Sequence, residues 1–379
     1  MGSRVARSTD RKILNEMLSL PTAPFAEHFV VDYVERFCRS RRTVSLKRDA
    51  AGNLLVHFKQ GRRRIARPVC ITAHLDHPGF VADRMIGKRR LRAYWRGRVA
   101  KEYFVGTPVR FFVEGRGVRG QVRSVKTVVH NERRRVDTAI VDVREEVPSG
   151  AIGMWDLPAV EVRGKRIHAT ACDDLVGASA MLCCIAELGR RRLSGEAYFL
   201  FTRAEEIGFA GAIAAARRRT IPQKCFVLAM ETSSELPHAQ MGAGPILRVG
   251  DRISTFTSKV TEHCQRVADS VAREDRRFKY QRRLMDGGAC ESSAYCALGY
   301  EATGLCVALG NYHNMEVKRE RITREYVDLD DFDNAVKWFV ALARSSITYT
   351  GRDQALHKQL SGIERKYQKL LRTSVVSPR

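Results

Sequence analysis

The sequence predicts an α/β fold: a mainly parallel central sheet with helices on both faces, interrupted by a small inserted β-domain. Three observations carry that prediction. Apolar strand-like runs alternate with helical periodicity over most of the chain. Between residues 89 and 160 the helical periodicity is lost, and short strands with Gly and Pro punctuation replace it. The 379 residues exceed what one small hydrophobic core organises. The expected division is a main domain over residues 1–88 and 161–350, an inserted β-barrel-like domain over 89–160, and a helical tail over 351–379.

In order, helical patterns cover residues 10–20 and 25–38, separated by Pro21 and Pro24. VSLKRD and NLLVHF flank a turn at Gly52 and Asn53, and PVCITAH is a buried strand ending at His74. TPVRFFVEGRGVRGQVRSV and DTAIVDV belong to the insertion. After it come RIHATA, a helix over 175–188 closed by Gly189, EAYFLFT, the helical AGAIAAARRR and CFVLAM. In the tail, Leu356, Leu360, Ile363, Tyr367 and Leu370 are spaced by alternating fours and threes, the period of a coiled-coil seam. The simplest expectation there is a terminal helix lying on its own domain, with a homo-oligomer contact as the alternative.

The formal charge of +24 attracts polyanions in principle. Its basic runs, at 62–64, 133–135, 190–192 and 217–219, are scattered rather than gathered in one stripe, so a solvated surface is expected and nucleic acid is not expected as a partner. No apolar stretch follows the basic N-terminus and no run is long enough to span a bilayer, which points to a cytoplasmic protein without a membrane partner. The ten cysteines, among them Cys183 and Cys184, form no CxxC pair and are expected to be reduced thiols. Cys172 and Cys290 receive no catalytic role.

Acidic and imidazole side chains follow apolar strands at five places: His74 with Asp76, Asp173 with Asp174, Glu205 with Glu206, Glu231, and His313. Strand ends of open α/β sheets are where ligands bind. Two divalent metals need carboxylate and imidazole donors with one carboxylate shared, and this set provides them. The strand period turns His74 and Asp76 to one face, so Asp76 can fix the tautomer of His74. Of the adjacent pair Glu205 and Glu206, one can bind metal while the other takes a proton from water. The donors accept zinc, cobalt or manganese, with zinc the default.

ITAHLDHPGF, ACDDLVGASA, TRAEEIGFAGA, VLAMETSS with MGAGPIL, MDGGACESSA and GLCVALGNYH together resemble the tetrahedral or glutamyl aminopeptidases, within the co-catalytic zinc exopeptidases. The resemblance spans most of the chain, and EYFVGTPVRFF resembles part of that family's inserted β-domain. It implies that Asp173 bridges two metals, that His74 and Glu231 complete one site, and that Glu206 and His313 complete the other. It further implies Glu205 as general base and later proton donor, Asp76 as the residue orienting His74, a bridging hydroxide as nucleophile, and a homo-oligomer. The chain departs from the family at His77 and Pro78, at Leu175, at Glu231 in place of Asp, and at Cys290 and Glu291 in place of Thr and Asp. Those departures fall around the substrate pocket.

The expected activity is hydrolysis of N-terminal peptide bonds. A related amidase, deacylase or carboxypeptidase acting on N-substituted amino acids is the enzymatic alternative. A basic nucleic-acid-binding protein with a vestigial hydrolase core is the alternative from another class.

Overall fold

The computed structural model describes residues 2–130, 133–350 and 354–373. Helices α1 (Gly2–Leu18) and α2 (His28–Arg39) lead into strands β1 (Val44–Arg48), β2 (Leu54–Gln60) and β3 (Val69–His74). The strands β4 (Gly79–Gly87), β5 (Arg90–Arg96), β6 (Pro108–Val113), β7 (Arg116–His130), β8 (Arg133–Val143) and β9 (Ile152–Trp155) close into a barrel in the order β4-β5-β8-β7-β6-β9. Then follow β10 (Glu161–Arg163), β11 (Arg166–Ala169), α3 (Leu175–Arg190), β12 (Gly195–Thr202), α4 (Ala210–Arg217), β13 (Phe226–Ser234) and β14 (Ile246–Asp251). The chain continues through α5 (Ser258–Glu274), β15 (Gln281–Met285), α6 (Glu291–Ala297), β16 (Ala302–Gly310), the short hairpin β17 (Met315–Glu316) and β18 (Arg321–Ile322), β19 (Glu325–Asp328), α7 (Leu329–Ala343) and α8 (Gln354–Thr373).

The main sheet runs β1-β2-β12-β3-β13-β16-β19-β11-β10. Its centre, β12-β3-β13-β16, is parallel, whereas the pairs β1-β2, β2-β12, β16-β19, β19-β11 and β11-β10 are antiparallel, so the sheet as a whole is mixed. The parallel centre is the part that helical crossovers build, since a parallel pair needs a long connection. Two antiparallel steps, through β19, restore β11 to the direction of β16. All five strands that precede or carry the acidic and imidazole residues therefore end on one edge.

Helices cover both faces, and strand alternation shows why. Val69, Ile71 and Ala73 of β3 join a core with residues of α1, α2, α3, α5 and α7, while Cys70 joins a second core with Ala212 and Ala215 of α4 and Tyr295 of α6. Phe199 and Leu200 of β12, like Leu228 and Val227 of β13, divide the same way. The barrel has its own core, with Phe80, Trp95, Phe104 and Trp155 in edge-on or tilted contact at 4.6–6.1 Å between ring centres. Each such buried aromatic contributes roughly 1.5–3 kcal/mol of transfer free energy.

Several boundaries differ from the sequence reading. The barrel's first strand starts at Gly79, ahead of residue 89: the Pro78-Gly79 break after His74 already marks the change, and Phe80, Val81 and Ala82 are buried. Helix α3 runs through Gly189 to Arg190 and does not stop at it. Helix α1 begins well before residue 10. On helix α8, Leu360, Ile363, Tyr367, Leu370 and Leu371 are exposed. No helix among the described residues is long and apolar enough to cross a membrane, and the cysteines they contain are all free thiols.

Candidate metal centre

His74 closes β3, whose six residues are all buried. Its Nδ1 lies 2.9 Å from the main-chain oxygen of Asp76, which can only accept, so Nδ1 carries a proton and Nε2 is the ring nitrogen turned toward the carboxylates. That Nε2 lies 3.4 Å from Asp173 Oδ1, 3.4 Å from Glu231 Oε1 and 4.0 Å from Glu205 Oε2. His313 repeats the arrangement. Its Nδ1 lies 2.7 Å from the carbonyl of Arg98, and its Nε2 lies 3.5 Å from Asp173 Oδ2 and 3.2 Å from Glu206 Oε2. Asp173 thus stands between two imidazoles, one oxygen toward each, and the seven residues singled out in the sequence are all buried together.

The local chain geometry is specific to these positions. His313 follows β16 in a turn where Asn311, His313 and Asn314 all have positive φ, a conformation that costs of order 1 kcal/mol or more in a non-glycine residue. Ala204, just before the Glu205–Glu206 pair, is also left-handed, at φ 51°. The Asp173–Asp174 peptide is cis. Asp174 caps α3 by accepting from Gly177 N, and a Cβ on Gly177 would collide with that carboxylate and with Met230. Glu231 lies inside β13 and not beyond its end.

Asp76 has a different first task from the one expected. Its two carboxylate oxygens accept from the backbone N–H of Glu205 at 2.9 Å and of Glu206 at 3.1 Å, while the oxygen nearest His74 Nδ1 is 3.6 Å away. The main-chain oxygen of Asp76 orients His74, and its carboxylate pins the loop that carries both glutamates. Sequence spacing could show a shared face but not which oxygen the ring would meet.

The charge balance of this cluster is unusual. Burial works against charge on His74, yet Asp173, Asp76 and Glu231 outweigh it and hold the imidazole well above its ordinary range. His313 behaves alike, with Glu206 and Asp173 outweighing burial. Burial would raise Asp173, but the imidazoles of His313 and His74 beside it hold it well below the usual carboxylate range. Burial pushes Glu205 well upward, with Glu231, Glu206 and Asp76 adding repulsion against a lowering by His74. Burial and Asp173 raise Glu231 to about 8. Burial and Glu231 raise Asp174. The protein alone offers too little positive charge for so many buried carboxylates.

His74 Nε2, His313 Nε2, Asp173 Oδ1, Asp174 Oδ2 and Glu206 Oε1 are buried with no hydrogen-bond partner, although such atoms ordinarily find one. His74, Asp173 and Glu206 bring donor atoms within 4.8 Å of one another, as do His74, Asp174 and Glu231. Nitrogen and oxygen donors in this mix fit divalent zinc, cobalt or manganese. Asp173, Glu205, Glu206 and Glu231 border a cleft open to solvent, whose wall also includes Arg248, Met285 and Tyr312.

Sequence reasoning did not assign the supports behind these donors. His77 is fully buried, with Nδ1 2.7 Å from the carbonyl of Asp173 and Nε2 3.1 Å from Asn314 Oδ1. Glu325 of β19 accepts from the N–H groups of Cys172 and Asp173, and burial raises it to about 7. A histidine one residue beyond the HxD run was a visible signal. Nothing in the sequence linked Glu325 to Asp173.

A sequence profile described as M42 glutamyl aminopeptidase matches residues 52–337. The chain belongs to the M42 glutamyl aminopeptidase family. A relative from Acetivibrio thermocellus described as a putative aminopeptidase is 24% identical over 308 residues, covering 78% of this chain and 87% of its own. Among solved structures, an aminopeptidase from the archaeon Desulfurococcus kamchatkensis superposes with a TM-score of 0.72 at 22% identity, over 92% of this chain and 99% of its own. The TET1 peptidase of Pyrococcus horikoshii, which can assemble into a tetrahedron or a large octahedral shell, gives 0.71 at 20% identity, over 88% of this chain and 99% of its own. These structures share the fold of this M42 protein. As a member of that family the chain is a metal-dependent aminopeptidase.

Proposed function

We propose that this M42 aminopeptidase hydrolyses N-terminal peptide bonds in the cleft beside Asp173, using two divalent cations. His74, Asp173 and Glu231 would hold one, and Asp173, Glu206 and His313 the other; zinc is the default, with cobalt or manganese accepted by the same donors. Bound there, such cations supply Lewis acidity toward a peptide carbonyl and toward water. The observation that carries the reading is the convergence of unpartnered, buried Nε2 and carboxylate atoms from four separate segments on the two sides of Asp173.

The chain's own residues then do the following. Glu205 takes the proton of the attacking water and returns it to the nitrogen of the departing amine. Its elevated proton affinity, caused chiefly by burial, suits both halves of that transfer. Asp76 keeps Glu205 and Glu206 in place through their backbone N–H groups. Glu325 and His77 hold the backbone of Asp173 from two sides. Arg98 ties the barrel to the site through its carbonyl on His313. Self-assembly belongs to the same proposal, by analogy with the TET1 peptidase.

The test is an activity screen of the metal-reconstituted protein against amino-acid p-nitroanilides and N-acyl amino acids. Turnover of free-amine p-nitroanilides with none of the N-acyl compounds is the expected outcome. The reverse preference would move the assignment to an amidase or deacylase.

A further inference from the structure

We propose that Glu27 is a positioning residue for the general base: from the start of α2 it fixes the backbone that aims Glu205 into the cleft. The inference rests on the reading of Glu205 as general base and extends it to what holds that carboxylate in place. No protein donor among the described residues reaches the Glu205 carboxylate, and His74 Nε2 is 4.0 Å from it. Its location is therefore set by the main chain beneath it.

That main chain is held by side chains. Four consecutive N–H groups, from Arg203 to Glu206, are each accepted by a buried side-chain oxygen. Asn53 Oδ1 takes the first at 3.1 Å, Glu27 Oε1 the second at 3.1 Å, and the two oxygens of Asp76 the last two at 2.9 and 3.1 Å. The carbonyls of Arg203, Ala204 and Glu205 accept from the N–H groups of residues 208–211 on the other side. Between the end of β12 and the start of α4, three side chains from separate segments thus do what a backbone ladder does elsewhere.

Ala204 is the sensitive point. It is left-handed, at φ 51°, a conformation that costs free energy in any residue with a Cβ. It immediately precedes Glu205, so its dihedral angles aim the Glu205 side chain. The acceptor on its N–H is Glu27, which is completely buried. Glu27 Oε1 also accepts from Phe25 N at 2.8 Å, while Oε2 accepts from Arg203 Nε at 2.8 Å and lies 2.7 Å from Arg203 Nη2. Four N–H donors converge on this one carboxylate, which an acceptor-only, ionised group satisfies. Burial and the charge of Asp76 raise its proton affinity, and Arg203 works against both. A Cβ on Gly211 would collide with the backbone of Arg203 and with Asn53 Oδ1, so the loop has little room to settle elsewhere. Glu27 touches only main chain and Arg203 in this network, and it acts on the reaction through Ala204.

The experiment uses the full chain. Glu27→Asp keeps the charge that Arg203 meets and withdraws the oxygens by one methylene; the long Arg203 side chain can follow, whereas the Ala204 N–H cannot. In the metal-reconstituted protein this variant is expected to lower kcat about 10–100-fold, with KM within about twofold of the parent and metal content unchanged. In the Glu205→Gln background the same change is expected to lower kcat by less than about twofold, because the loop then has no base to aim. In the metal-free protein, hydrogen exchange read by mass spectrometry should be on the order of tenfold faster in peptides spanning residues 203–208 and unchanged in the strands of the sheet. Parent kcat in Glu27→Asp, or an equal fold loss in both backgrounds, would overturn the proposal. So would exchange that is unchanged at 203–208, or faster throughout the chain, since the latter marks a general loss of fold. Parent kcat in Glu205→Gln alone would instead refute the general-base reading, and the exchange measurement would still decide whether Glu27 orders the loop.

Discussion

Replacing Glu205 with Gln separates chemistry from metal binding and from stability, and the structure sets the size of each effect. The Glu205 carboxylate accepts no hydrogen bond from a protein donor among the described residues, and its nearest basic atom, His74 Nε2, is 4.0 Å away. Its backbone N–H is held by Asp76, a contact the substitution leaves intact. Three neighbours, Glu231, Glu206 and Asp76, repel its charge. Removing that charge should therefore change stability by less than about 1 kcal/mol, with either sign. The proton transfer has no substitute, since an amide cannot accept and return a proton. Loss of general acid–base assistance lowers kcat by about 10²–10⁴, equivalent to roughly 2.7–5.4 kcal/mol in the barrier at 1.36 kcal/mol per decade. The assay is steady-state cleavage of an amino-acid p-nitroanilide by the reconstituted protein, with metal content measured on the same samples by emission spectroscopy. A variant that keeps its full metal complement and loses less than about fivefold in kcat would refute the assignment of Glu205.

Three further outcomes are expected. In Asp76→Asn one of the two backbone N–H groups loses its acceptor, so urea unfolding should show about 1–3 kcal/mol of destabilisation and kcat/KM should fall about 10–100-fold; parent values of both would contradict the role of the carboxylate as the pin of the glutamate loop. Asp173→Asn removes the shared charge, and calorimetric titration should show the stoichiometry dropping from two tightly held cations to at most one, whereas two equivalents at unaltered affinity would argue against a bridging residue. The third concerns His263, buried between Phe226 and Tyr349, which burial and the charges of Arg266 and Arg67 lower from 6.5 to about 4. Because the unfolded chain takes up this proton first, the contribution is complete above pH 6.5 and is lost as pH falls toward 4, to a limit of about 3 kcal/mol. His263→Phe should flatten the stability profile across that interval relative to the parent, and an identical slope would count against the assignment.

The sheet and its site were legible in sequence to different depths. PVCITAH, EAYFLFT and CFVLAM read as buried strands because their residues are apolar on both faces, and the structure divides them between two cores. RIHATA, which forms β11, was legible as a strand, but β10 and β19 and the antiparallel pairing of β11 were not, since these strands are short and carry no pattern that sets a direction. Helices α5 and α7 passed without a specific expectation, although Asp328 caps α7 by accepting from Asp330 and Asp331, a signature visible in the VDLDD spacing only after the strand before it is known.

What the sequence determined by itself was the chemistry available: the donors His74, Asp173, Glu206, Glu231 and His313, the free carboxylate Glu205, and the order in which strands deliver them. Donor identity is a property of single side chains, and strand ends can be read from local periodicity. Only the tertiary structure decided the geometry. It set the carboxylate of Asp76 on two backbone N–H groups, brought Glu325 from a distant strand beneath Asp173, carried the barrel's Arg98 to His313, and left the stripe of α8 in solvent. Each of these depends on where segments far apart in the chain come to rest, and no local pattern encodes that distance.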